Sequence, residues 1–65
     1  MTRKILENLP ATVRAHIESI RKDYKNETIS QDETRKHAYG YTLGLRDGGL
    51  ITERQRQLLF IYCTV

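Results

Sequence analysis

QLLFIYCTV, residues 57–65, is a nearly unbroken apolar run in a chain that is otherwise rich in charge. Such a run is a buried helix, a strand, or a surface held for a partner, and the choice decides the fold. Its β-branched and aromatic content permits a strand, yet no other segment supplies a convincing strand to pair with it. The residues just before it favour a helix. In LITERQ, residues 50–55, Thr52 is placed to cap a helix and Gln55 to return a bond to the Thr52 amide, and neither Gly nor Pro interrupts the chain from there to Val65. On a wheel of about 100° per residue, Ile51, Leu58, Tyr62 and Val65 share one face, with Leu59 and Ile61 on its flanks. Phe60 falls among Glu53, Arg56 and Gln57 on the polar side.

Working backwards, RDGG at residues 46–49 is a helix stop in which Gly48 or Gly49 can take the left-handed conformation. The helix it closes starts at TISQDE, residues 28–33, where Ser30 can cap the chain and Glu33 can reach back to it. Its core stripe is Thr34, Ala38, Tyr41 and Leu45, with His37 and Thr42 at the edges. Gly40 and Gly44 sit inside it at a cost of roughly 1 kcal/mol each relative to Ala. They either fray the helix or let a neighbouring helix come close. The strongest periodicity comes earlier: Leu6, Leu9, Val13, Ile17, Ile20 and Tyr24 form one narrow helical stripe. Pro10 is tolerated only in a first turn, so that helix starts near Asn8 or Leu9 and leaves residues 1–7 as an extended or loosely helical lead-in. The expectation is a single all-α domain over residues 1–65, a small three-helix domain with helices at about 9–25, 31–47 and 53–63 and a capped αα-hairpin between the last two.

The stretch LRDGGLITERQRQLL, residues 45–59, resembles the helix–Gly turn–Ile–Thr–helix hairpin of the SHOCT family, short domains that mediate interactions or assembly. It carries Arg54, Gln55 and Arg56 where those domains have an acidic cluster. The resemblance implies a helical hairpin with a role in binding.

Sixty-five residues with 38% hydrophobic content and no Trp give a modest core, and a chain this short buries only about 60% of its unfolded surface. The single Cys63 rules out an intrachain disulfide framework, which leaves self-association as the remaining staple. A lone thiol and the absence of a hydrophobic leader-like region in MTRKILENLP point to a cytoplasmic protein. The apolar run LLFIYC is far short of the about 20 residues that span a bilayer, and the narrow stripe of the first helix is needed for the core rather than for a membrane surface.

Side chains left over once the core is assigned carry the functional expectations. Tyr39 and Leu43, four residues apart, lie opposite the core stripe of the second helix, and Phe60 and Ile61 are similarly surplus in the third. They are either buried beneath the N-terminal RKIL segment or anchor a homodimer or another protein, with Arg46, Arg54 and Arg56 on the rim. The alternative is a helix-turn-helix DNA-binding regulator. In that reading Thr52, Arg54, Arg56 and Gln57 enter the major groove, while Arg14, Arg21 and Lys25, helped by Arg35 and Arg46, touch phosphates. Eleven Lys and Arg against eight Asp and Glu, a net +3, is a mild bias. Glu53 in the reading surface, and Glu18 pairing with Arg14, Arg21 or Lys22, count against DNA.

Catalysis has little to work with. Cys63, His16 and His37 fall on three different helices, with the histidines expected half-buried and Cys63 beside a terminus that frays. No CxxC, HxxxH or HExxH spacing supports a metal site. Asp32 and Glu33 are explained as helix N-terminal charges. The expectation is a non-enzymatic helical binding module, a regulator, adaptor or inhibitor, without cofactor or small-molecule substrate.

Overall fold

The computed structural model describes residues 2–65, and Met1 lies outside the described residues. The fold is all-α: α1 (Thr2–Glu7), α2 (Ala11–Asn26), α3 (Gln31–Asp47) and α4 (Glu53–Cys63), with no strand among the described residues. The terminal run is thus helical. The three longer helices occupy nearly the expected spans.

Of the two forms expected for the N-terminal segment, the structure shows the helical one, packed rather than loose. Residues 2–7 form a short helix whose Ile5 and Leu6 are buried, and Leu9 follows them into the core. The continuous stripe of spacings is therefore split between two helices. Pro10 is the reason: it disfavours the α conformation at Leu9, and it stands at the N-cap of α2 with φ −54° and ψ 148°. The first α2 bond runs from the Arg14 amide to the Pro10 carbonyl at 2.9 Å. At its other end α2 closes on Glu27 in the left-handed region, φ 51°, with the Glu27 and Thr28 amides both donating to the Asp23 carbonyl.

The α3–α4 hairpin is set by local bonds. Ser30 accepts from the Glu33 amide at 3.2 Å, but the reciprocal Glu33 bond is not made. At α4 the capping box is complete: Thr52 Oγ1 accepts from the Gln55 amide at 3.1 Å, and Gln55 Oε1 accepts from the Thr52 amide at 2.9 Å. Between them Gly49, at φ 83°, is the left-handed residue. The Leu50 amide donates to Leu45 and the Gly49 amide to Arg46, each at 3.0 Å, the two bonds of a Schellman stop.

Ile17, Ile20, Ala38, Leu59 and Cys63 form the centre of the core, with Ile5, Leu6, Leu9, Leu45 and Ile51 around it. Thr34 and Thr42 are buried with them, and Thr42 satisfies its hydroxyl on the Ala38 carbonyl at 2.8 Å. Thr42 thus stands in the middle of the α3 stripe, not at its edge. The inward face of α4 is also turned from the expected one. Leu59 and Cys63 are 0% exposed, whereas Ile61 and Val65 are 55% and 71% exposed. Residues 58–63 are apolar on every side, so the wheel barely selects a face, and the choice falls to the helices packed against it. Cys63 is accordingly a core residue. Its Sγ–H points at the Ile17 carbonyl 3.8 Å away.

Neither reading of the α3 glycines holds. The helix runs unbroken through Gly40 and Gly44, and a Cβ at either would meet nothing within 4 Å. Gly40→Ala and Gly44→Ala should each stabilise the fold by up to about 1 kcal/mol. Gly49→Ala should destabilise it by about 1–2 kcal/mol, the strain of a Cβ in the left-handed region. Urea unfolding of the three variants checks all three signs.

Candidate functional site

Each interface among the three longer helices is closed by a tyrosine and an arginine. Between α2 and α4, the Arg21 guanidinium lies over the Tyr62 ring at 4.3 Å and donates to the Tyr62 carbonyl at 2.7 Å. The Tyr62 hydroxyl in turn donates to Glu18, at 2.8 and 2.9 Å to its two oxygens. A cation at the last carbonyls of α4 also opposes the helix dipole favourably. Between α2 and α3, Arg35 donates to the Tyr24 hydroxyl at 2.7 Å with its charge 5.3 Å from the ring centre. Between α3 and α4, Arg56 stands over the Tyr39 ring at 5.2 Å. Guanidinium stacking of this kind contributes roughly 0.5–1 kcal/mol at exposed sites and more when desolvated. These contacts join residues far apart in the chain, 41 positions for Arg21 and Tyr62, so no local spacing announces them.

Glu53 organises the α3–α4 end. Arg56 donates to it through Nε and Nη2 at 2.8 and 2.9 Å, Arg46 reaches it across the turn at 2.7 Å, and Gln57 adds a bond at 3.1 Å. The hydrogen bonds from Arg56, then Arg46 and Gln57, hold its carboxyl down from the ordinary 4.5 to about 2. Arg46 also bonds Asp47.

This network settles the surroundings of the residues expected to read DNA. Arg56 is 9% exposed and tied to Glu53, Gln57 is tied to the same carboxylate, and Thr52 spends its hydroxyl on the α4 cap. Arg54 is exposed. Among the expected phosphate contacts, Arg21 is held by Tyr62, and Arg14 donates to the Leu6 carbonyl at 3.4 Å, closing α1. Arg21 and exposed Lys25 line a groove with Glu18, Lys22 and Asn26. Glu18 takes the Tyr62 hydroxyl, not the expected arginine or lysine partners.

The leftover apolar residues separate into two places. Tyr39 is half-exposed and meets Phe60 edge-on, ring centres 6.1 Å apart and planes at 89°. Phe60 is itself half-buried against the core, and half-buried Leu43 lies one turn beyond Tyr39 on α3. Ile61 projects about 100° around α4 from Phe60 and is exposed. Arg46 and Arg54 border the Tyr39 side and the outer face of α4, while Arg56 is buried against the Tyr39 ring rather than on an open rim.

Of the groups with chemical potential, the buried Cys63 stands apart from the two exposed histidines. Burial, with the Glu18 charge adding and the Arg21 charge opposing, pushes the Cys63 thiol up to about 12, which leaves no thiolate at neutral pH. His16 and His37 are exposed rather than half-buried, and their Nε2 atoms meet at 3.1 Å across α2 and α3. A cleft of about 310 Å³ between α1, α2 and α4 is lined by Arg3, Leu6, Glu7, Arg14, Glu18 and Tyr62. No helix among the described residues is long and apolar enough to cross a membrane.

Comparison with known proteins found no matching family model, no matching curated protein and no matching solved structure. The likeness of residues 45–59 to the SHOCT hairpin rests on those residues alone.

Because Glu53 is charged in the fold far below its ordinary range, its network stabilises fully above pH 4.5 and is lost as the pH falls towards about 2. Glu53→Gln should be less stable than the parent at neutral pH, and the gap should narrow as chemical denaturation is repeated from pH 5 down to about 2. Parallel stability curves would show that the network is energetically silent.

Proposed function

We propose that this chain is a small cytoplasmic, non-enzymatic binding module, a regulator, adaptor or inhibitor, that self-associates through the α3–α4 face. The observation that carries this reading is Tyr39: half its surface is open to solvent, yet its ring is fixed edge-on to Phe60 and beneath the Arg56 charge. An aromatic side chain immobilised before binding gives contact area with little further loss of conformational freedom. Leu43 extends the apolar area along α3, and Ile61 with Val65 offers more on the outer face of α4. Arg46 and Arg54 supply the charged rim. A chain of 65 residues also has the most to gain from covering such a surface with a second copy.

The alternative, a helix-turn-helix DNA-binding regulator with α4 as reader, draws on fewer free side chains. Arg56, Gln57 and Thr52 are each engaged inside the chain, which leaves Arg54 to read and Lys25 to touch phosphate. The connection from Asp47 to Glu53 is also long beside the three- or four-residue turn of a helix-turn-helix.

Light scattering over a range of concentrations should give a wild-type mass that rises toward a dimer, and Tyr39→Ser should be a folded monomer. Tyr39 is a better probe than Phe60, because Phe60→Ser also removes half-buried core packing. The dimer should be nearly indifferent to salt, whereas DNA binding would weaken steeply as salt rises. A wild type that stays monomeric at every concentration rejects self-association.

A further inference from the structure

His16 on α2 and His37 on α3 lie 21 positions apart in the chain, yet their Nε2 atoms are 3.1 Å from each other. Tyr41, one turn beyond His37, stacks on the His16 ring at 4.1 Å and restricts its orientation. Both imidazoles are exposed, so solvent and solutes reach them. Two neutral rings in this contact share one proton, N–H on one side and a bare nitrogen on the other. The same spacing is close to that of two imidazoles on one metal ion. Zinc binds imidazole nitrogen at about 2.0–2.1 Å, and two such ligands at a tetrahedral angle stand about 3.3–3.4 Å apart. The two rings are within a few tenths of an ångström of that spacing.

We propose that His16 and His37 form an interhelical site for a divalent transition metal of the Zn²⁺, Ni²⁺ and Cu²⁺ class, each giving Nε2. The ion takes the place of the proton that the rings otherwise share. Imidazole suits these borderline ions, whereas Mg²⁺ and Ca²⁺ require oxygen donors. Among the described residues no group of three or more His, Cys, Asp or Glu converges to hold a metal. The site is consequently open: two positions belong to the protein and the others to water or an incoming ligand. It belongs to the α2–α3 edge and does not involve Tyr39 or Phe60, so it stands or falls separately from the self-association surface. An ion held there also pins α2 to α3 and stabilises the folded chain by mass action.

The test is calorimetric titration of the untagged full chain with Ni²⁺, for wild type, His16→Ala and His37→Ala. Wild type should bind one ion per chain saturably, and each variant should bind at least about tenfold more weakly, the loss that even an outer-shell partner of a metal can cause. Thermal unfolding followed in parallel should show a midpoint raised by Ni²⁺ in wild type and raised clearly less in either variant at the same Ni²⁺ concentration. Both histidines are exposed, so the variants should keep the helical circular dichroism of the parent. Variants that bind Ni²⁺ as tightly as wild type, or a wild type with no saturable binding, would overturn the site.

Discussion

A chain of sixty-five residues builds a core of marginal size, and each interface among its three longer helices is reinforced by a tyrosine ring under a guanidinium. The ring contributes apolar area, the hydroxyl or nearby carbonyl takes a hydrogen bond, and the arginine stem covers hydrophobic surface while its charge stays near water. The Arg21–Tyr62 contact has a particular place among them. It holds the last turn of α4 on α2, which keeps Cys63 against the Ile17 carbonyl and Leu59 in the centre of the core. All four tyrosines are used between helices, since Tyr41 stacks on His16 as the others stack on arginine.

That use of arginine changes what the positive charge means. A net +3 taken from composition is a mild bias, compatible with nucleic acid but short of a dense basic footprint. In the fold Arg21, Arg35 and Arg56 are structural cations over rings, Arg14 closes α1, and Arg46 bridges α3 to α4 through Glu53. Lys22 and Lys25 share a face of α2 with Arg21 and Glu18, and Lys4, Lys36 and Arg54 are exposed on the other helices. The apolar surface is a more specific feature, because Tyr39 is half open to solvent while its ring meets Phe60 and the Arg56 guanidinium.

The sequence carried most of the secondary structure. Helix starts at Ser30 and Thr52 and the stop at Gly49 are local chemistry, each decided within about one turn of chain, and all three are found where the residue types put them. The stripe through Ile17, Ile20 and Tyr24 is equally plain because polar residues separate its members. Two features were less legible. Pro10 marks a helix start, but spacing alone does not show that it is the N-cap of α2 or that residues 2–7 pack as a separate helix. On α4 the apolar residues surround the helix, so periodicity had no contrast from which to choose between the Leu58 face and the Leu59 face.

What the sequence determined by itself was therefore the all-α class, the three longer helices and the capped hairpin, because these follow from interactions between residues three to five positions apart. Only the tertiary structure decided which side of α4 turned inward, which arginines were consumed, and that Tyr39 meets Phe60 and His16 meets His37. Those outcomes depend on the angle and rotation at which whole helices pack. That is settled by the sum of many weak contacts across the core, and no single spacing along the chain records it.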